Sequence, residues 1–240
     1  MIIPGPPAQR GIGVVTPFDM ALDRELWRWV PDDVSLYLTR TPHVAEPVSI
    51  ELAEAVSDEA DVASATRDVL TAEPVVVAYA CTSGSFVDGL GGERRLVRAM
   101  RAAGTPAAVT TSGALVEALA VLGVRRVAVA TPYVENVTAR LHDFLAEAGA
   151  TTVSSAHLGL EAGIWKVPYE TTARLIRQAD SPNAEAVFVS CTNLPTYDLV
   201  APLERELGKP LLTANQVTLW AALRRADAAA VGPGQRLLAA

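Results

Sequence analysis

The sequence is poor in the residue types that most often carry metal, disulfide or pyridoxal chemistry. Its 240 residues include two cysteines, Cys81 and Cys191, three histidines, and only two lysines, Lys166 and Lys209. Two cysteines cannot form a disulfide framework, and without a clustered set of cysteines and histidines they do not form a zinc site. A pyridoxal enzyme needs a lysine for its Schiff base, so few positions are open to that chemistry. The sequence predicts no metal site.

Charge and hydropathy exclude further classes of protein. The formal net charge is −7 and the positive charges are scattered, which argues against a nucleic-acid-binding surface. No apolar run approaches the roughly 18 residues of a membrane-spanning helix, and residues 1–20 lack the pattern of a secretory signal. The segment 89–92 lacks the full spacing of a dinucleotide-binding loop. We therefore expect a folded cytoplasmic protein without membrane or nucleic-acid partners.

Short Val/Ala-rich runs alternate along the chain with longer segments of helical period. This alternation is typical of βα units on a parallel sheet, and runs such as VVVAYA at 75–80 suit strands buried on both faces. The predicted strands are 11–16, 34–39, 75–80, 107–110, 125–130, 152–157, 186–190 and 210–213. The predicted helices are 22–29, 48–71, 93–103, 113–122, 134–148, 169–179, 197–207 and 216–228.

An internal repeat appears three times in the same order along the chain. The paired segments are 14–18 with 129–133 (VVTPF and VATPY), 80–83 with 190–193 (ACTS and SCTN), and 104–106 with 208–210 (GTP and GKP). Each half thus has one strand that ends in Thr-Pro-aromatic and a later strand that ends in Cys-Thr. The repeat predicts an α/β fold of two similar lobes with parallel sheets, related by approximate twofold symmetry. We assign residues 1–120 plus 214–240 to the first lobe and 121–213 to the second.

The two cysteines occupy the same point of the repeated unit. Cys81 and Cys191 each follow an apolar strand and begin a turn, CTSGS and CTNLP respectively. Ligands of open parallel sheets bind outside the carboxyl ends of the strands, so facing lobes would bring both thiols to one cleft. Free backbone N–H groups at such a turn stabilise a thiolate and bind a carboxylate.

Two thiols on opposite sides of a small molecule suit three reactions. In two-base stereoinversion a thiolate removes a proton from carbon while the opposing thiol delivers one. In isomerisation one thiolate adds to an activated double bond, rotation follows, and the thiolate leaves. In decarboxylation a thiol protonates the carbanion or enediolate that remains after loss of CO₂. All three need donors for a developing oxyanion, and suitable ones are Thr82, Ser83, Thr192 and the phenol of Tyr133.

Four segments of the chain carry a family resemblance. They are IGVVTP at 12–17, ACTSGSF at 80–86, LGVRRVAVATPYVENV at 122–137 and VSCTNLPTYD at 189–198. They resemble the aspartate/glutamate racemase superfamily, specifically its branch of maleate cis-trans isomerase and arylmalonate decarboxylase. The resemblance implies two Rossmann-like lobes with the active site between them, a small carboxylate substrate, and catalysis without cofactor or metal. It also implies a homo-oligomer of two or more chains.

The resemblance implies roles for individual residues. Cys81 and Cys191 correspond to the catalytic pair. Thr82, Ser83 and Tyr133 correspond to donors for a carboxylate or oxyanion, with Thr192 contributing its backbone N–H. The full set of candidate substrate contacts is Pro17, Phe18, Asp19, Thr82, Ser83, Tyr133, Thr192 and Asn193.

The sequence also departs from its relatives. Arylmalonate decarboxylase has glycine at the first cysteine position, so Cys81 favours the isomerases and racemases. Maleate isomerase has an asparagine after its first-strand proline and another after its sixth strand, where this chain has neither; Asp19 and Glu161 lie nearby instead. A carboxylate facing the pocket would repel a dianion such as maleate. Residues 18–31 resemble a subgroup labelled ectoine-utilisation protein A or putative decarboxylase, which suggests an amino-acid-like substrate.

Three hypotheses follow from the sequence. The main one is a cofactor-independent isomerase or racemase of a small carboxylate, with Cys81 and Cys191 as opposed nucleophile or base and acid. The second is a decarboxylase of malonate-type substrates in which Cys191 donates the proton. The third, of another class, is a carboxylate-binding protein without turnover.

Overall fold

The computed structural model describes residues 8–240, so residues 1–7 of the predicted first lobe lie outside the described part. The strands within it are β1 (Arg10–Thr16), β2 (Val34–Arg40), β3 (Val76–Tyr79), β4 (Ala108–Thr110), β5 (Arg126–Thr131), β6 (Thr151–His157), β7 (Ala186–Val189) and β8 (Leu211–Thr213). The α-helices are α1 (Asp23–Leu26), α2 (Ile50–Val56), α3 (Glu59–Leu70), α4 (Thr82–Phe86), α5 (Gly89–Ala102), α6 (Thr111–Leu122), α7 (Glu135–Glu147), α8 (Tyr169–Ala179), α9 (Tyr197–Leu207) and α10 (Ala214–Arg225).

The strands form two parallel four-stranded sheets with the same internal order. The first sheet runs β2-β1-β3-β4 and the second runs β6-β5-β7-β8. The inner strands pair with matching register, Val15 opposite Tyr79 in the first sheet and Ala130 opposite Val189 in the second. The α/β fold with duplicated parallel sheets is therefore confirmed, and the topology repeats as the sequence repeat predicted.

The strand order places a switch point in each sheet. The chain leaves β1 toward β2 on one side and later returns to β3 on the other, and β5, β6 and β7 repeat this path. Crevices outside the carboxyl ends of strands at such a point are where open α/β sheets bind ligands. The β1 and β3 ends lead to Pro17 and Cys81, and the β5 and β7 ends lead to Pro132 and Cys191.

The strand predictions agree with the structure to within about one residue at each end, whereas several predictions between the strands need correction, three of them before β4. The predicted helix 48–71 is two helices, because Asp58 accepts hydrogen bonds from the N–H groups of Ala60 and Asp61 and so begins α3. The predicted turn after Cys81 is the short helix α4. The segment 89–92 is the first turn of α5, which the sequence placed at 93.

The C-terminal part of the chain contacts both halves of the molecule. Helix α10 is almost wholly buried and packs on α6 and on strands β3 and β4 of the first sheet. Beyond it, Gln235 Oε1 accepts hydrogen bonds from Trp29 Nε1 at 2.9 Å and Gln216 Nε2 at 2.8 Å. The N–H of Arg236 donates to Glu204 in α9. Of the helices between residues 8 and 240, none has the length and apolar character required to span a bilayer.

Candidate active site

A pocket opens where the carboxyl ends of the two sheets meet. Every site residue predicted from the sequence lines it: Pro17, Phe18, Asp19, Cys81, Thr82, Ser83, Tyr133, Cys191, Thr192 and Asn193. Residues that the sequence did not indicate complete the lining: Val48, Ser49, Leu52 and Val56 in and before α2, and Ile164. The cavity measures about 40 Å³, and a single water needs roughly 10–15 Å³. The pocket thus has room for only a compact ligand.

Cys81 lies at the start of α4 with an extended backbone, φ −136° and ψ 116°. Its side chain is 4% exposed. Burial raises the pKa of the Cys81 thiol, while hydrogen bonding by the Tyr79 hydroxyl and the Gly84 N–H opposes this rise. The Asp19 carboxylate adds to the increase by charge repulsion. Cys81 is therefore a thiol at neutral pH in the unliganded pocket, with donors placed to hold its charge once it ionises.

Cys191 has a different backbone conformation from Cys81. Its φ is +88°, in the left-handed region that residues with a Cβ seldom adopt and that costs about 1–3 kcal/mol. Burial raises the pKa of the Cys191 thiol to about 12, against the opposing effects of the Asn193 N–H and the Tyr133 hydroxyl. This thiol is protonated at neutral pH and suits the role of proton donor.

Tyr133 supplies a phenol at the Cys191 side of the pocket. The Ser190 hydroxyl donates to the Tyr133 hydroxyl oxygen at 3.3 Å. Burial, and then the negative charge of ionised Cys191, raise the pKa of Tyr133 well above its usual range. Tyr133 therefore stays neutral and keeps a proton to donate to the pocket.

Thr82 adds a donor on the Cys81 side. Its hydroxyl oxygen is buried and has no hydrogen-bond partner among residues 8–240. An unpaired buried hydroxyl costs free energy unless a ligand or water satisfies it. Ser83 lies beside it, with its Oγ 4.0 Å from the Cys81 Sγ. Together Thr82 and Ser83 can receive a carboxylate.

Asp19 places a carboxylate in the pocket, and the second half of the molecule fixes its loop. The Asn193 side chain donates to the Asp19 carbonyl at 3.0 Å and accepts from the Ala21 N–H at 2.9 Å. Burial raises the pKa of Asp19, and nearby Arg40 acts in the opposite direction. The negative charge of Asp19 raises the pKa of both cysteines. It thus disfavours further negative charge nearby.

A buried carboxylate outside the pocket supports the Cys191 turn. Glu25 is 7% exposed and accepts hydrogen bonds from the Thr196 N–H, the Thr196 hydroxyl and the Asn215 side chain at 3.0, 2.9 and 3.1 Å. The Asn215 amide also donates to the Thr192 carbonyl at 2.9 Å. This network joins α1, α9 and α10 behind Cys191. No local sequence signal indicates it, since its members are brought together only by the tertiary fold.

The acidic, sulfur and imidazole side chains of residues 8–240 form no group of three that could hold a metal ion. The pocket instead combines two thiols with hydroxyl and backbone N–H donors. Such a set can abstract or deliver protons at carbon, or add sulfur to a double bond, while the donors stabilise an enediolate.

Comparisons with known proteins agree with this chemistry. Arylmalonate decarboxylase from Bordetella bronchiseptica is 34% identical over 65% of this chain and 66% of its own length. Maleate isomerase from Nocardia farcinica is 31% identical over 70% of each chain. A maleate cis-trans isomerase structure from the same organism, a cysteine-to-serine variant with a covalently bound succinylcysteine intermediate, superposes with a TM-score of 0.84 and 27% identity, over 96% of this chain and 98% of that one.

The sequence alignments thus span about two thirds of the two relatives, while the structural match spans nearly the whole chain. The predicted resemblance to the maleate isomerase and arylmalonate decarboxylase branch is confirmed. The resemblance to an ectoine-related subgroup stays a prediction. The family model described as arylmalonate decarboxylase matches residues 46–238, and the chain belongs to that family.

Proposed function

We propose that the protein is a cofactor-independent isomerase or racemase of a small carboxylate, with Cys81 and Cys191 as its catalytic pair. The observation that carries this proposal is that the two thiols line one pocket from opposite sheets. Oxyanion donors lie beside both of them: Thr82 and Ser83 near Cys81, and Tyr133 near Cys191. A single-thiol reaction gives no role to Cys81.

Either reaction balances with these groups once one thiol has lost its proton to solvent. In racemisation one thiolate takes the α-proton and becomes a thiol, the electron pair moves onto the carboxylate as an enediolate, and the opposite thiol returns a proton to the other face. In cis-trans isomerisation a thiolate forms a bond to one alkene carbon and the opposite thiol protonates the other. After rotation about the new single bond that proton returns to the opposite sulfur, the double bond reforms and the first thiolate leaves. The relative with a succinylcysteine intermediate supports the second course.

The pocket favours a compact substrate with one carboxylate. The cavity is small, at about 40 Å³, which favours a substrate of few atoms over one that carries an aryl group. Asp19 would repel a second carboxylate and attract a cationic group such as an ammonium. Both features support an amino-acid-like acid over maleate or an arylmalonate.

An isotope experiment tests the proposal. The protein is incubated in D₂O with small acids that include maleate, amino acids, hydantoins, substituted malonates and ectoine breakdown products, followed by NMR and chiral chromatography. We expect solvent deuterium at the stereocentre of an inverted amino-acid-like product, or cis-trans conversion, without loss of carbon. Release of CO₂ with one deuterium in the product would contradict the proposal.

A decarboxylase is the second candidate, favoured by the family match and by the Bordetella relative. In it Cys191 protonates the intermediate left by CO₂, and Cys81→Ala would keep activity. The third candidate is a carboxylate-binding protein, which would show saturable thermal stabilisation by an acid and no product. Homo-oligomeric assembly and a cytoplasmic location stay predictions.

A further inference from the structure

Tyr79 is a buried phenol that the proposed chemistry leaves without a role. It is the last residue of β3, its side chain is 0% exposed, and its hydroxyl donates to the Val56 carbonyl at 2.6 Å. Val56 is the last residue of α2, so its carbonyl has no partner within the helix. The Tyr79 hydroxyl therefore caps the C-terminal end of α2.

The same hydroxyl lies beside the Cys81 thiol. A Cβ built on Gly84 would stand 2.4 Å from Tyr79 Oη, 3.2 Å from Cys81 Sγ and 3.2 Å from a Val56 methyl. Only glycine leaves room for the phenol, the thiol and the end of α2 to converge at this point. The Tyr79 hydroxyl and the Cys81 sulfur are therefore close neighbours, and hydrogen bonding from Tyr79 lowers the pKa of the Cys81 thiol.

The phenol has a single proton for two acceptors. While Cys81 is a thiol, its S–H can donate to the phenol oxygen and the phenol proton goes to Val56. Once Cys81 is a thiolate, the sulfur is an acceptor only, and a charged acceptor attracts the phenol proton more strongly than a neutral carbonyl does. Donation to the sulfur then releases the Val56 carbonyl.

Helix α2 is the wall of the pocket that this change would affect. Residues Val48, Ser49, Leu52 and Val56 line the cavity. At the other end of the segment, the Val48 N–H donates to the Glu161 carbonyl of the second half at 2.8 Å. The segment 48–56 is thus fastened at one end by the loop after β6 and at the other by Tyr79.

We propose that Tyr79 is a positioning residue for Cys81. We also propose that it couples the charge on Cys81 to the position of helix α2 in the pocket wall. The inference deepens the proposed function, since it gives one of the two thiols a dedicated donor and links that thiol to a wall of the pocket. The other titratable groups that face Cys81 are Asp19, Tyr133 and Cys191.

Alkylation of Cys81 tests this coupling without any substrate, so its result is independent of the proposed function. In full-length protein with Cys191→Ser, Cys81 is the only thiol that can react with iodoacetamide, and peptide mass spectrometry follows its alkylation; its sulfur forms the new bond to carbon and iodide leaves. The rate is measured against pH for this parent and for Tyr79→Phe. We expect Tyr79→Phe to raise the midpoint by about one pH unit and to slow alkylation at pH 8 by about tenfold.

Hydrogen exchange of the α2 amides supplies a second readout, expressed as protection relative to intrinsic exchange. In the parent we expect protection of α2 to fall as pH passes through the alkylation midpoint. In Tyr79→Phe it should be about tenfold lower at the starting pH and should not change at the midpoint. The matched control is Tyr37→Phe, because Tyr37 packs in the same small hydrophobic cluster without bonding to Cys81. In this variant the pH profile of alkylation and the pH profile of α2 protection should both match those of the parent.

Gly84→Ala covers the case in which Tyr79→Phe does not fold, because its methyl must displace the phenol from the sulfur. We expect the same upward shift of the alkylation midpoint. An unchanged midpoint in whichever variant folds would overturn the proposal, even if α2 loses protection. That pattern would mean that Tyr79 caps the C-terminal end of α2 and does not position the Cys81 thiol.

Discussion

The two cysteine turns come from one repeated motif, yet they hold their thiols differently. In each turn, the residue after the cysteine accepts a hydrogen bond at its backbone carbonyl. The donor is the side chain of the second residue in the helix that follows the last strand of that sheet. Ser112 Oγ donates to the Thr82 carbonyl at 3.2 Å, and Asn215 Nδ2 donates to the Thr192 carbonyl at 2.9 Å. The scaffold of the turn is therefore shared by the two halves.

The differences lie in the backbone and in the groups behind it. Cys81 is extended and begins a helix, whereas Cys191 is left-handed. The phenols also come from unrelated positions: Tyr133 follows β5, where the first half has Phe18, and Tyr79 ends β3, where the second half has Val189. The repeated fold thus keeps each thiol at the same location, while the chemical surroundings of the two thiols differ.

The largest difference in the free energy of unfolding should come from the side chains that hydrogen-bond behind the two cysteine turns, Glu25 at the Cys191 turn and Ser112 at the Cys81 turn. Glu25→Gln replaces an acceptor of three hydrogen bonds with an amide whose N–H₂ would face donors. We expect it to lower the free energy of unfolding by about 3 kcal/mol, and Ser112→Ala, at the other turn, to cost about 1 kcal/mol. Chemical denaturation measures both. Equal costs would contradict the idea that the Cys191 turn depends on a buried charge.

The next largest difference should be in how the two thiols affect the stability of the protein at alkaline pH. The folded-state pKa of Cys191 is raised to about 12, so this thiol contributes stability below the unfolded pKa, near 9, and that stability is lost as pH rises above it. At pH 10 the loss is about 1.4 kcal/mol. Cys191→Ser should remove this part of the decline in Tm between pH 8 and 10.

Cys81→Ser is the matched control for the alkaline series. Three groups oppose the rise of the Cys81 pKa, namely Tyr79, Gly84 and Ser83, whereas two do so at Cys191. We therefore expect Cys81→Ser to flatten the decline less than Cys191→Ser does. The reverse order would show that the two environments are assigned wrongly.

The smallest effect concerns backbone conformation alone. At φ +88° glycine avoids the strain that alanine keeps, so Cys191→Gly should be more stable than Cys191→Ala by about 1 kcal/mol. At the extended Cys81 the sign should invert, with Cys81→Gly less stable than Cys81→Ala by about 0.5–1 kcal/mol. Thermal unfolding of the four variants gives both differences, and the same sign at both positions would contradict the structure.

Local pattern was sufficient for the strands and for the residues at their carboxyl ends. Cys81, Tyr133 and Cys191 each follow an apolar run, and parallel topology sends the ends of such runs to one edge. The division of 48–71 was missed because Ser57-Asp58 is a weak break inside a helical period. Asp58 as an N-cap was the signal that could have revealed α2, and with it the pocket wall.

Other features had no local signal at all. Glu25 acquires its partners from residues more than 170 positions away. The role inferred for Tyr79 depends on contact with Val56, and the left-handed Cys191 is imposed by its surroundings. These are consequences of packing between elements, which periodicity and motif spacing do not encode.

The pairing of the two thiols is the central claim, and turnover by single-cysteine variants tests it most directly. Once the isotope experiment identifies an acid that is converted, its rate is measured with Cys81→Ala and with Cys191→Ala, each checked for folding. We predict that each variant loses at least about 10³-fold in kcat/KM, because neither thiol alone completes the reaction. Retained activity in Cys81→Ala with loss only in Cys191→Ala would contradict the account and assign a one-thiol decarboxylase.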